Sequence, residues 1–280
     1  MNYGLHISTA GKLATTPQRA KAMTADALQI FAGSPRSFKQ PVYTAELTAG
    51  FKQSCIDLGM PAFIHMLYLT SYGSPDDTLR QASIDAAQQT MRNADLLGVN
   101  GVVTHLGSHK GKGTAAVMDH LRDALLEVIS VADTKLLLEN SAGAGGNVGN
   151  SIDELAQIYE AVGRTPKIGF CLDTAHLFAS GYEVRTEAGW KAVLDEFDAK
   201  IGLDNLGCVH LNDSKVDLGS KRDRHENIGQ GLIGEAGFKV ILNEPRMKNL
   251  TGLLEVPGLD DKGPDKANLD KLRELTSATT

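Results

Sequence analysis

The chain is poor in cysteine and in aromatics, with three Cys and 5% Phe, Trp and Tyr in 280 residues. Cys55, Cys171 and Cys208 are odd in number and far apart, and no CxxC pair occurs. That excludes a disulfide framework and reads as reduced core cysteines of a cytoplasmic protein. No apolar run approaches the length that spans a bilayer, so no membrane partner is expected. The opening residues, Met1-Asn2-Tyr3-Gly4-Leu5-His6, lack a basic leader followed by an apolar stretch, so no secretion signal is expected. A cationic excess is also missing. The net charge of −6 argues against a generic nucleic-acid coat. It does not exclude a nucleic-acid enzyme, because cations held by clustered carboxylates change the field at a pocket mouth. Locally, Lys215, Lys221, Arg222 and Arg224 sit beside candidate ligands.

What the chain does have is alternation. Short β-rich runs at 2–7, 27–31, 61–66, 101–105, 135–139, 167–173, 206–212 and 250–256 are separated by longer helical stretches. Residues 75–97 carry apolar Leu79, Ala82, Ala86, Ala87, Met91 and Ala94 between Ser74-Pro75 and Gly98, and 114–132 has an amphipathic helical period. Ser151-Ile152-Asp153-Glu154 opens a further helix as a capping box would. Eight strands alternating with helices predict an α/β fold, a closed (β/α)8 TIM barrel formed as one domain over 1–280. An open doubly wound sheet explains less well why ligand-type residues end strands along the whole chain. The Gly-rich segment 143–149 has no phosphate-loop pattern and is expected to let backbone pass close to a site. Residues 276–280 are expected to fray.

Six of the apolar runs end on a metal-type ligand: His65, His105, Glu139, Asp173, His210 and Glu255. A parallel barrel gathers all six at one mouth, where such folds place their active sites. A carboxylate after three leucines, as at Glu139, is costly to bury without a cation or strong hydrogen bonds. One strand-end histidine is more often structural than a ligand. Three on separate strands, with carboxylates on others, reverse that reading. Asp173 and His176 share a side if a helical turn starts there, although Asp173 also suits an N-cap. Asp223-Arg224-His225 places an acid and an imidazole two apart in a polar loop. Nine candidates are more than one metal uses, and two metals close together clamp a phosphoryl displacement. His6 is expected to act behind the ligands, His109 to orient the loop of His105, and His120 to lie on a helix surface.

In these segments the chain resembles the endonuclease IV family. The likeness rests on His65-Met66-Leu67-Tyr68-Leu69, His105-Leu106-Gly107-Ser108-His109, Glu139-Asn140-Ser141-Ala142-Gly143 and Leu172-Asp173-Thr174-Ala175-His176. It continues through His210-Leu211-Asn212-Asp213-Ser214-Lys215, Asp223-Arg224-His225 and Glu255-Val256-Pro257-Gly258, in the family's order over nearly the whole chain. The resemblance implies three zinc ions per chain, with manganese admissible at one position. His65, His105 and Glu139 would hold one ion. Glu139 would bridge to a second held with Asp173, His210 and Glu255, and His176, Asp223 and His225 would hold the third. Glu139 and Glu255 would be the catalytic carboxylates, with water activation left open between Glu255 and the metals. Arg36, Tyr68 and Leu69 match positions that enter double-stranded DNA at the lesion. The implied activity is a hydrolase cutting 5′ to an abasic site and leaving a 3′-hydroxyl, with 3′-end trimming at the same site, by a monomer. Departures are Phe38 in place of a tryptophan, Leu106 in place of a proline, Ala175 in place of a cysteine, and a reduced Ala10-Gly11-Lys12 turn.

Two other readings compete with this one. A sugar isomerase or epimerase on the same barrel also places His, Glu and Asp at strand ends, but has no use for the Asp223, His225 and His176 trio. A non-catalytic lesion-binding module would lack a ligand, and none is missing.

Overall fold

A computed structural model describes residues 1–277. Eight strands are all parallel to their neighbours: β1 (Asn2–His6), β2 (Ala27–Phe31), β3 (Ala62–His65), β4 (Gly101–Thr104), β5 (Leu136–Glu139), β6 (Ile168–Asp173), β7 (Leu206–His210) and β10 (Thr251–Leu254). They close into a barrel in sequence order, β10 pairing back onto β1. The remaining two, β8 (Asp213–Ser214) and β9 (His225–Glu226), form an antiparallel pair on the loop after β7. The expected TIM barrel and its eight strands are therefore present, each trimmed by at most two residues at an end.

Between and after the strands run α1 (Thr16–Ala22), α2 (Ala45–Leu58), α3 (Asp77–Leu97), α4 (Met118–Ile129), α5 (Ile152–Ala161), α6 (Thr174–Ser180), α7 (Glu187–Lys200), α8 (Gly234–Asn243) and α9 (Lys266–Ser277). The helices foreseen in the sequence are present, the first two starting a few residues later than expected. Helix α3 is capped by Asp76 and stopped by Gly98 in the left-handed region. The 114–132 stretch splits into a short 3-10 turn and α4. Ser151 caps α5, accepting from the Glu154 amide. The Glu154 carboxylate reaches further back than a capping box does. It accepts from the Gly149 and Asn150 amides, at 2.5 and 3.1 Å, and clamps the Gly-rich loop. Helix α9 remains helical at Thr276, whose hydroxyl lies 2.5 Å from that of Tyr3. The expected fraying is thus corrected there, and 278–280 lie outside the described residues. Cys171 and Cys208 are buried as expected, while Cys55 is only half-buried.

The barrel interior is a small apolar cluster of its own, one residue from each of seven strands: Ala27, Phe63, Val103, Leu137, Cys171, Cys208 and Leu253. Leu137 dominates it. A Cβ at Gly101, Gly169 or Gly207 would stand 2.7–2.8 Å from its side chain, so three strands carry glycine to admit one leucine.

One irregularity sets the chemistry above this plug. The register between β6 and β7 shifts, Phe170 pairing with Leu206 but Cys171 with Cys208. The extra residue, Gly207, is a bulge. Without it Asp173 would pair with Val209, and the side chain of His210 would turn to the other face. With it Asp173 pairs with His210.

Candidate metal centre

Side chains alternate along a strand, so the residue two beyond each interior apolar one also points inward. Applied to the plug, that rule gives Gln29, His65, His105, Glu139, Asp173, His210 and Glu255. Six are the predicted strand-end ligands. The seventh, Gln29, was not foreseen, although a lone polar residue inside Ala27-Leu28-Gln29-Ile30-Phe31 was visible.

The ligand atoms fall into three groups, each within 4.8 Å internally: His65, His105 and Glu139; Glu139, Asp173, His210 and Glu255; and Asp173, His176 and His225. Glu139 belongs to two. Its Oε2 lies 3.4 Å from His65 Nε2 and 3.2 Å from His105 Nδ1. Glu255 Oε2 is 3.3 Å from His210 Nδ1.

The third group differs from expectation in one member, since Asp173 rather than Asp223 completes it. Asp223 is nevertheless in place, its two oxygens 3.3 Å from His176 Nε2 and 3.2 Å from His225 Nε2. Asp173 is both an inward-facing candidate ligand and an N-cap, accepting from the His176 amide at 2.8 Å to start α6. The β8–β9 pair carries His225. Its anchor is Asp213, a buried carboxylate whose oxygens accept from the amides of Ser214, Gly229, Gly231, Ile233 and Gly234.

Among the described buried atoms without a hydrogen-bond partner are His65 Nε2, Glu139 Oε2, His176 Nε2 and His225 Nε2. Buried polar atoms are rarely left unpaired. Four orphans converging on one mouth, in a donor set of imidazole nitrogen and carboxylate oxygen, fit first-row divalent metal such as zinc. In two of these imidazoles, and in His210, the outward ring nitrogen is already committed. His65 Nδ1 donates to the Met66 carbonyl at 2.7 Å, His176 Nδ1 to that of Asn140 at 3.0 Å, and His210 Nε2 to Gln29 Oε1 at 3.0 Å.

Carboxamides steady the acids. Asn212 Nδ2 donates to Asp173 Oδ2 at 2.6 Å and its Oδ1 accepts from the Glu255 amide at 2.8 Å. Asn140 Oδ1 accepts from the Asp173 amide at 2.6 Å.

Charge is finely opposed here. Burial pushes Glu139 up, but His105 and His210 outweigh it and hold the carboxyl well below the usual range. Burial raises Glu255 and Asp223 likewise, and both are held low, by His210 and His65 in one case and by His176 and His225 in the other. Burial lowers His210, and the Glu255 and Glu139 carboxylates more than reverse it, to about 10. His105 and His6 are lowered, mainly by burial.

Arg36, Tyr68 and Leu69 stand exposed beside this mouth. The Tyr68 amide donates to the Pro35 carbonyl at 2.9 Å, joining the two loops that carry them. Tyr68 walls two cavities, one of about 480 Å³ floored by His6 and Glu255, the other of about 400 Å³ with His105, His176 and Asp223. His6 lies beside the candidate ligands, its Nδ1 3.2 Å from Gln29 Nε2 and 3.5 Å from Glu255 Oε1. His109 ties its loop to the glycine segment: its amide donates to the Gly146 carbonyl, and its Nδ1 accepts from the Gly113 amide. A Cβ on Gly146 would stand 2.8 Å from the His109 ring, which is why backbone alone passes there. His120 is half-buried beside Arg80, not on a free surface. Of the departures, Leu106 and Ala175 are buried and Phe38 packs half-buried against the core.

Comparison with known proteins agrees with this geometry. Residues 17–276 match a family model described as a xylose isomerase-like TIM barrel. A protein of Methanoculleus marisnigri named "Probable endonuclease 4" is 40% identical, covering 98% of this chain and 99% of its own length. One of Chloroflexus aggregans with the same name is 35% identical over 99% of this chain and 98% of its own. The crystal structure of endonuclease IV from Thermus thermophilus superposes with a TM-score of 0.86 at 34% identity, covering 99% of both chains. A D-tagatose 3-epimerase-like protein superposes at a TM-score of 0.73 with 18% identity over 99% of this chain and 98% of its own, and shares the fold alone. The chain therefore belongs to the endonuclease 4 family, nucleases built on the xylose isomerase-like TIM barrel.

Proposed function

We propose that the chain is a zinc-dependent endodeoxyribonuclease of base excision repair, which hydrolyses the phosphodiester 5′ to an abasic site in duplex DNA and leaves a 3′-hydroxyl. The observation that carries this reading is the convergence of three ligand groups, linked through Glu139 and Asp173, beneath the exposed Arg36, Tyr68 and Leu69. His65, His105 and Glu139 would hold one zinc, Glu139, Asp173, His210 and Glu255 a second, and His176, Asp223 and His225 a third, with manganese admissible at one position. Bound divalent zinc supplies a lowered water pKa and a counter-charge for phosphate oxygens. Glu255, kept ionised in the wall, is placed to accept a proton. Tyr68 and Leu69 wedge where the base is missing, an insertion made easier because an abasic nucleotide has already lost its stacking. The same site would trim blocked 3′ ends. We place the enzyme in the cytoplasm as a monomer.

The decisive experiment offers the zinc-loaded protein a duplex bearing one tetrahydrofuran abasic analogue. Incision on its 5′ side with a 3′-hydroxyl terminus is expected, together with about three zinc ions per chain. No incision by the loaded protein overturns the reading. One manganese per chain and turnover of a ketose would instead favour the epimerase alternative.

A further inference from the structure

The polar side chain that β2 adds to the inward ring, Gln29, has no part in the ligand groups, yet it touches two members of one of them. Its side chain is fully buried. Its Oε1 accepts from His210 Nε2 at 3.0 Å, and its Nε2 donates to Glu255 Oε1 at 2.6 Å. The same Nε2 lies 3.2 Å from His6 Nδ1. His210 and Glu255 are 181 and 226 residues away in sequence, so the contact is a product of barrel closure.

A comparison among the histidines shows why this amide matters. His65 and His176 have their outer nitrogens fixed by backbone carbonyls, and therefore present Nε2 to the centre. His210 alone among these three is fixed by a side chain, and alone presents Nδ1. A neutral imidazole has one N–H and one lone pair, and the partner of the N–H decides which nitrogen is free to ligate. A carboxamide suits the place because it accepts at one end and donates at the other. A carboxylate there could keep only the His210 contact, and a hydrocarbon neither.

We infer that Gln29 is a positioning residue that sets the His210 tautomer and the Glu255 carboxylate together, and so tunes the metal group that those two residues share with Glu139 and Asp173. This rests on the metal reading above, but not on the choice of DNA substrate.

The test uses the full chain with Gln29→Leu and Gln29→Glu, and reads zinc affinity by competition with a chromogenic chelator. It also reads the ring-nitrogen shifts of ¹⁵N-histidine-labelled protein at limiting zinc, where the parent's metal-bound His210 carries its one proton on Nε2 and a His210 that has lost its metal is protonated on both nitrogens. In Gln29→Leu, affinity at the weakest-held zinc is expected to fall at least about tenfold, in the range that lost outer-sphere partners of a metal ligand show. His210 is expected to lose its single Nε2–H pattern. In Gln29→Glu that pattern should persist while zinc affinity still changes, because only the Glu255 contact is lost. Unchanged affinity and an unchanged His210 pattern in Gln29→Leu overturn the inference. If Gln29→Leu does not fold, a Gln29→Glu protein indistinguishable from the parent in zinc affinity overturns it equally. A parent protein that takes up zinc but does not cut abasic DNA leaves this result readable and falls on the proposed function alone.

Discussion

Oε1 of Glu139 stands 2.9 Å from Nδ1 of His210, and neither side chain has any solvent exposure. The other oxygen of the same carboxylate faces His65 and His105. One short side chain thus belongs to two ligand groups. Replacing it with glutamine, which offers one oxygen, should weaken both groups at once. We expect Glu139→Gln to lose at least two zinc ions by elemental analysis and to lower incision by more than about a hundredfold, the upper end of what outer-sphere changes produce. Full zinc content in that variant would contradict the bridging role.

The metal-free protein should be sensitive to pH on both sides. His210 is held at about 10 when folded, above its ordinary 6.5, because the Glu255 and Glu139 carboxylates outweigh its burial. Its stabilising contribution is complete below about pH 6.5 and disappears as pH rises through 10. Glu139 is shifted the opposite way, so its contribution is complete above its ordinary 4.5 and is lost on acidification. Chelator-treated protein should therefore melt highest between about pH 5 and 6.5, and markedly lower at about pH 9. Zinc should remove most of the alkaline fall, since metal replaces the proton on His210. Equal melting temperatures of the metal-free protein at about pH 6 and about pH 9 would refute this.

Removing the exposed ring should separate DNA recognition from metal binding. Tyr68→Ala is expected to leave zinc content intact and to weaken binding of an abasic duplex by about 1–3 kcal/mol, the usual worth of an aromatic–base contact. Binding to an undamaged duplex should change little. Fluorescence anisotropy on the two duplexes reads the difference, and equal losses on both would mean that Tyr68 does not recognise the lesion.

Asp213 makes a prediction about a residue that holds no metal. Asn in its place keeps one acceptor oxygen and turns an N–H toward amides it formerly accepted from. Asp213→Asn should destabilise the protein by about 1–3 kcal/mol per donor left unpaired. Hydrogen exchange should quicken at 229–234, and the zinc nearest His225 should be released first. Unaltered exchange in that segment would rule this anchor out.

The plug makes a purely steric one. A methyl on Gly101 would stand 2.7 Å from Leu137 Cδ1. Gly101→Ala should lower stability by about 1–3 kcal/mol, as overpacked cores do, and Leu137→Val should recover part of it in the double variant. Urea unfolding of the three proteins decides; additive losses would mean that the two positions do not share the space.

Much of the barrel and its ring of candidate ligands was legible in the sequence because both follow from local rules. An apolar run predicts a strand, and a ligand placed at its end is carried to the mouth whatever the partners are. Asp173 and His176 were legible for the same reason, since an N-cap and the third residue after it are fixed by one turn of helix. Gln29, Asn140, Asn212 and Asp213 were not given roles, because a carboxamide or carboxylate announces nothing about partners that only closure brings near. The entry of Asp173 into the third group was also hidden. It depends on where the β8–β9 pair carries His225, which a sequence pattern does not show, just as the Gly207 bulge that pairs Asp173 with His210 leaves no mark on hydrophobic period.

The plug has a further consequence, for exchange. Leu137, Phe63, Leu253 and the two thiols fill the barrel directly beneath the ring, so its open side is the face that bears Arg36, Tyr68 and Leu69. Under the proposed function, ions and substrate would share a doorway. A duplex laid across it would act as a stopper, slowing both loss of zinc to a chelator and replacement of zinc by a competing ion for as long as the complex lasts.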